Sequence, residues 1–223
     1  MKLYSVLFAL LAATGVNVCA QSSLYKKLDI YSATVSKEFD QISSERKEKL
    51  NQIAEELNKS KTGIKSILFA SSDNSAASQL AQAWLQVASE RNLVSSIQIS
   101  SAGDNESAIN KEALKALKNA GFKISSNTTF PKNPRYMVSY SSQTNSLLMF
   151  SKKYKNFQNP TSDFLSVSTE ANLAPVAGEA NKVELTYARI DASNADAQSK
   201  EIAREMFYLA DKLQSKGLLS HQQ

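Results

Sequence analysis

Ser66-Ile67-Leu68-Phe69-Ala70-Ser71-Ser72-Asp73-Asn74-Ser75-Ala76-Ala77-Ser78-Gln79-Leu80 is the stretch on which the fold turns. Residues 66–70 are a short apolar run suited to a strand buried on both faces. Residues 71–75 are polar and small, as a turn requires. From Ala76 to Glu90 the apolar residues Leu80, Ala81, Trp84, Leu85 and Ala88 recur at helical spacing. A buried strand, a tight polar turn and an amphipathic helix form the first half of a βαβ unit. Ser96–Ser100 supplies the second strand, with Ile97 and Ile99 alternating. Residues 101–104 turn, Asn110 caps a helix bearing Ala113, Leu114, Leu117 and Ala120, and Gly121 stops it.

The pattern predicts an α/β domain: a central parallel sheet flanked by helices on both faces. Further strands are expected over residues 136–140, 146–150, 164–168 and 183–187, with residues 122–124 extended. The loops between them are punctuated by Pro131, Pro134, Pro160 and Pro175. A closing helix is expected over 197–213, on the stripe Ile202, Met206, Leu209 and Leu213. Upstream, Leu24, Leu28, Tyr31, Val35, Phe39 and Ile42 mark one helix. Leu50, Ile53 and Leu57 mark a second, with Ser44 as its expected N-cap. These two helices either pack on the core or form an interaction arm. The boundaries that follow are a signal peptide at 1–20, a helical extension at 21–63, the α/β domain at 64–214 and a flexible tail at 215–223.

The start of the chain sets the expected compartment. Met1-Lys2 is a short positive region, Leu3–Val16 is apolar, and Val18-Cys19-Ala20 fits a small-residue cleavage site before Gln21. The alternative is lipidation of Cys19. The expected location is the periplasm or the exterior of a Gram-negative bacterium, with no stable membrane insertion after cleavage. Cleavage removes Cys19, the only cysteine of the 223-residue chain. The mature protein then has no disulfide, no thiolate metal site and no thiol nucleophile. The only histidine, His221, lies in the polar tail, so a His-based triad or two-His metal site is excluded. No metal and no cofactor are expected. The net charge of +5 comes without a dense basic run, so nucleic acid is not an expected partner. Three N-x-S/T sequons, at Asn58, Asn105 and Asn127, are read as chance in a bacterial protein.

Several of these segments resemble the low-molecular-weight protein tyrosine phosphatases and the related thioredoxin-coupled arsenate reductases. They are Ile67–Ala70 leading into Asn74-Ser75 and Ser78-Gln79, then Ser100-Ser101-Ala102-Gly103, and the helix Asn110–Leu117. Lys132-Asn133-Pro134, Phe150–Tyr154 and Glu201–Tyr208 resemble a bacterial branch of that family, and Glu38–Ile42 with Glu45-Arg46-Lys47 resembles its N-terminal helical extension. The resemblance covers roughly residues 24–213. It implies a phosphotyrosine-phosphatase-like sheet and, in active members, a C-x5-R loop, a Ser or Thr after the Arg, and a later Asp that acts as general acid.

On these residues the implied machinery is degenerate. Ser71 stands at the nucleophile position and Ala77 at the arginine position, while Ser78 is kept. Leu185-Thr186-Tyr187 precedes Arg189, which stands where the acid belongs, and Glu170 stands about where an arsenate reductase would carry a further cysteine. A serine without a base is a poor nucleophile, an alanine cannot clamp an oxyanion, and an arginine does not donate a proton at neutral pH. The implied function is that of a catalytically inactive binding or scaffolding module, whose partner is a small anion or a protein. The alternative is a relocated phosphatase chemistry using Ser71 and Arg189.

The anion-loop candidates are Ser71, Ser72, Asp73, Asn74, Ser75 and Ser78. Three readings of the loop remain open. Arg189 could swing over and anchor an anion, the loop could be a turn whose Ser, Asp and Asn cap helix 76–90, or it could take a neutral or cationic ligand. The processing signal makes a direct prediction: the exported protein has the intact mass of a chain beginning at Gln21, whereas a diacylglycerol-bearing Cys19 would show membrane anchoring.

Overall fold

A computed structural model describes residues 23–59, 65–94, 97–127 and 129–219, with side chains described as far as 215. The expected signal peptide lies outside the described residues. The elements in order are α1 (Lys26–Val35), a 3-10 turn (Phe39–Gln41), α2 (Ser44–Asn58), β1 (Lys65–Ser71), α3 (Ala77–Arg91), β2 (Ile97–Gly103) and α4 (Lys111–Ala120). They continue with β3 (Lys123–Asn127), β4 (Arg135–Ser139), β5 (Leu147–Met149), β6 (Phe164–Ser168), β7 (Glu179–Glu184) and α5 (Ala195–Leu219).

Four strands make a wholly parallel sheet in the order β2-β1-β6-β7. The expected α/β class with a central parallel sheet flanked by helices is thus observed. The helical cover is uneven between the two faces. Ile67, Phe69, Leu165, Val167 and Val183 meet the buried residues of all five α-helices in one large cluster. Leu68, Ala70, Ala102 and Phe164, on the opposite face, are covered by Val176, Tyr154 and Leu173 from loops. The connection from β2 to β6 places its helix α4 in the main cluster with α3, and contributes residue 154 to the other face; the β6–β7 connection adds residues 173–176 there.

A second sheet, β3-β4-β5, is antiparallel. It takes up residues 123–127, 135–139 and 147–149, where the sequence pattern shows separate extended runs over 122–124, 136–140 and 146–150. The last strand begins earlier than the expected 183–187. Glu179, Asn181 and Lys182 are too polar to read as strand, yet they pair with β6 from the sheet edge. Leu185 and Tyr187 still donate to Ser168 and Thr169 beyond it.

Hydroxyl groups set the limits of the first two helices. Thr34 and Ser36 turn their hydroxyls onto the carbonyls of Ile30 and Ser32 at 3.0 and 2.9 Å, and α1 ends at Val35 rather than running on to Ile42. The N-cap of α2 is Ser43, not Ser44; its hydroxyl accepts from the Arg46 amide at 3.3 Å. Both helices join the main core through Leu28, Leu50, Ile53 and Leu57. Gly121 ends α4 at φ +120°, and a Cβ there would lie 2.6 Å from the Leu28 amide nitrogen, so α1 crosses α4 only over a glycine. The closing helix α5 passes residue 214 and continues to Leu219.

Trp84 on α3 organises the helical layer. Its ring stacks on Tyr31 at 5.3 Å and meets Phe122 edge-on at 5.0 Å, and its indole N–H donates to Ser199 Oγ at 3.0 Å. This one side chain therefore joins α1, α3, α5 and the segment after α4. Trp84→Ala is expected to destabilise the fold by about 3–5 kcal/mol in urea unfolding, the range for deleting a fully buried large aromatic.

Candidate functional site

The carboxyl edge of the parallel sheet is where open α/β sheets place their ligands. Here β1 ends at Ser71 and the chain turns over residues 72–76 into α3. Asn74 makes the turn with φ +51°, a left-handed conformation that Asn tolerates better than most residues. The neighbouring strand β2 ends on Gly103. A Cβ at that position would sit 2.8 Å from the Asn74 amide nitrogen, so the turn lies directly on the glycine backbone.

The turn is held from beneath by a buried polar network. The Asn74 amide donates to Ser71 Oγ at 2.9 Å, and Ser71 Oγ lies 2.8 Å from Ser78 Oγ. The Asn74 side chain donates to Ser78 Oγ at 3.0 Å. Its carbonyl oxygen accepts from Gln79 at 2.7 Å and from the Lys152 amide at 3.0 Å. Gln79 also donates to the Phe150 carbonyl at 2.8 Å. Ser151 donates to the Asp73 carbonyl at 2.7 Å, and Asn133 exchanges two hydrogen bonds with the Ser151 backbone. From the other face, the Tyr154 hydroxyl donates to the Ser71 carbonyl at 3.1 Å. Capping of α3 by the loop's side chains does not occur. Ala76 is the N-cap residue, with no side-chain bond, because Asn74 and Ser71 are engaged with one another and with Ser78.

Above the turn lies a cleft of about 470 Å³. Of the candidates read from the sequence, Ser72, Asp73, Ser75, Ala77 and Arg189 line it together. Ser71, Asn74 and Ser78 lie beneath it, and Ser71 is only 2% exposed. Two carboxylates cover amides of the loop. Glu170, from the turn after β6, accepts from the Ser72 amide at 3.1 Å, and Asp73 accepts from the Ser75 amide at 3.0 Å. Three loop amides, those of Ser72, Asn74 and Ser75, therefore already have acceptors within the protein. Glu170, Tyr154, Ser151 and Asn133 were not legible as loop partners. Their only sequence signal was membership of segments that carry the family resemblance, or in the case of Glu170 a position about where that resemblance would imply a cysteine.

Arg189 is exposed, on the segment between β7 and α5. Its backbone carbonyl accepts from Asn194 at 2.8 Å, and the next carbonyl, that of Ile190, accepts from the Asn110 side chain at 3.0 Å. Tyr187, two residues earlier, lines the cleft and ties it to the N-terminal helices. Its hydroxyl donates to Glu205 at 2.6 Å, and Arg46 of α2 makes a two-pronged contact with the same carboxylate, at 2.7 Å through Nη2. Arg46 also donates to the Thr186 carbonyl at 3.0 Å and lies over the Tyr187 ring. Burial and the Glu205 charge push the Tyr187 pKa well above its ordinary value, so the phenol stays a donor. Among the described residues no group of three or more His, Cys, Asp or Glu could hold a metal ion, and no helix is long and apolar enough to cross a membrane.

The class defined by these observations is an α/β domain with a polar, partly acidic cleft at the carboxyl edge of a parallel sheet. No family model matches the chain, and no curated protein matches it. Among solved structures it is similar to the thioredoxin-dependent arsenate reductase of Corynebacterium glutamicum. The two are 17% identical over 89% of this chain and 85% of that one, with a TM-score of 0.39. A likeness that loose bears on neither activity nor ligand.

Lys152 lies just beneath the loop, 4% exposed, and its ammonium has no ion-pair or hydrogen-bond partner among the described residues. Burial lowers its pKa from 10.5 to about 8. In the folded state the lysine thus loses its proton near pH 8, whereas the unfolded chain keeps it to about pH 10.4. Between these values the unfolded state binds more protons, so stability rises with pH. Below pH 8 the folded protein bears the cost of a buried charge. Lys152→Met is expected to be more stable than wild type by about 1–3 kcal/mol at pH 7, with the difference shrinking towards pH 10 in urea titrations. Above pH 10 the raised pKa of Tyr31, about 12, works in the opposite direction in both proteins.

Proposed function

We propose that this protein is an exported, non-catalytic relative of the low-molecular-weight phosphatases and arsenate reductases, acting as a binding or scaffolding module. The observation that carries the proposal is the state of the loop amides. In a phosphate cradle the amides of such a turn point at the oxyanion. Here Glu170 and Asp73 supply the acceptors for Ser72 and Ser75, and the Ser71 hydroxyl accepts from Asn74. An incoming phosphate or arsenate would have to displace two carboxylates and would be repelled by them. Arg189 is the one cationic side chain lining the cleft, facing two acids.

The chemistry at Ser71 supports the same reading. Its hydroxyl is buried and bonded to Ser78, and no group in contact with it can act as a base. Ala77 provides no guanidinium. The cleft therefore suits a neutral or cationic polar ligand better than a small oxyanion. The N-terminal signal motif supports export, and cleavage before Gln21 would remove Cys19 and leave no thiol for a reductase cycle.

The test is turnover and binding by the processed protein. No hydrolysis of an aryl phosphate above a Ser71→Ala control is expected, and no thiol-dependent arsenate reduction. Phosphate, arsenate and sulfate at millimolar concentration should leave Tm unchanged, since a ligand stabilises only what it binds. Ser71→Cys alone should remain silent, because nucleophile and oxyanion anchor act as a unit. Turnover well above the Ser71→Ala control would overturn the proposal in favour of a relocated phosphatase using Ser71 and Arg189.

A further inference from the structure

A second hollow, of about 560 Å³, lies away from the loop cleft. Its walls come from two loops, residues 153–161 after the β3-β4-β5 sheet and residues 175–177 leading into β7. Tyr154, Phe157, Pro160, Pro175 and Val176 make those walls largely apolar. The volume falls within the ordinary range for small-molecule sites, and so does the mainly apolar lining. Two of the wall residues are prolines, whose fixed backbone torsion lowers the entropy lost on closing around a ligand.

Two features of the hollow have no structural use within the protein. Phe157 is 90% exposed, although it is among the largest apolar side chains of the molecule, and it makes no ring contact. Lys153 and Lys155 at the rim are exposed and have no ion-pair partner among the described residues. Asp104 is the one acidic residue lining the hollow. Tyr154, by contrast, is anchored: its ring packs on the sheet face against the Leu68–Phe164 cluster and its hydroxyl donates to Ser71, while the part-buried ring still lines the hollow.

We propose that this hollow is a second ligand site, for a small amphipathic anion: an apolar, preferably aromatic, body carrying one carboxylate or sulfonate. The body lies between Phe157, the Tyr154 ring and the prolines, where its burial removes apolar surface from water. The anionic head stays at the rim with Lys153 and Lys155, which outnumber Asp104. Head-inward binding is disfavoured because the inner, hydroxyl end of Tyr154 feels the negative charges of Asp104, Glu170 and Glu179. The site is chemically unlike the loop cleft, where two carboxylates cover the floor.

The experiment uses the full processed chain and three probes with one ring system: 2-naphthalenesulfonate, 2-naphthalenemethanol and 2-naphthylmethylamine, titrated by calorimetry. The sulfonate is expected to saturate a single site at least tenfold more tightly than the alcohol, with the amine weakest. Phe157→Ser and the double variant Lys153→Glu/Lys155→Glu should each weaken the sulfonate at least tenfold without changing Tm, since all three side chains are exposed. Arg189→Ala, in the loop cleft, should leave it unchanged. No saturable sulfonate binding overturns the proposal. So does tighter binding of the amine, or sensitivity to Arg189→Ala without sensitivity to Phe157→Ser. None of these results depends on whether the loop cleft binds anything.

Discussion

The Asn74 side chain is the contact from which the functional end of the molecule is assembled. Its backbone must adopt a left-handed turn to carry the chain from β1 to α3, and its amide group is fully buried. A buried amide has to satisfy both its donor and its acceptor capacity. Asn74 does so through three residues on two separate elements: Ser78 and Gln79 of α3, and the Lys152 backbone. The turn, the first helix of the βαβ unit and the loop after β5 are thereby fixed to one another. Gly103 permits this because only a residue without a Cβ lets β2 end against the turn.

The same edge of the sheet is anchored from the N-terminal side. Arg46, Glu205 and Tyr187 form a mostly buried charged cluster joining α2, α5 and the segment that carries Arg189 into the cleft. Such a cluster adds less to stability than its geometry suggests, since both charges lose hydration. Its consequence here is positional. The two N-terminal helices are part of the cleft's support, and the segment 186–190 is held between Arg46 on one side and Asn110 on the other.

Charge distinguishes the two concavities. The loop cleft has Asp73 and Glu170 on its amides against one arginine, whereas the hollow beside Phe157 has two unpaired lysines against one aspartate. Tyr154 reaches from the wall of the hollow to the Ser71 carbonyl at the end of β1, just before the loop of the cleft. Lys152 bonds through its backbone amide to the Asn74 side chain at the loop, and burial lowers the pKa of its ammonium to about 8.

The sequence by itself determined the βαβ start, the helical faces around Trp84 and the polar composition of the turn at residues 71–75. Those features are local: hydrophobic period, turn composition and residue identity are carried by neighbours in the chain. The first residues of the edge strand β7, Glu179–Lys182, escaped notice because they are polar and carry no strand period, so the expected strand began only at Val183. The separate antiparallel sheet escaped because pairing between residues 123–127 and 135–139 is a choice of partner, which no single strand records. The tertiary structure alone decided what the loop amides face. Glu170 comes to Ser72 across 98 positions of sequence, and Tyr154 to Ser71 across 83. Closures of that length depend on the packing of the whole sheet rather than on any local preference, so the presence of carboxylates on the loop amides could be learned only from the folded chain.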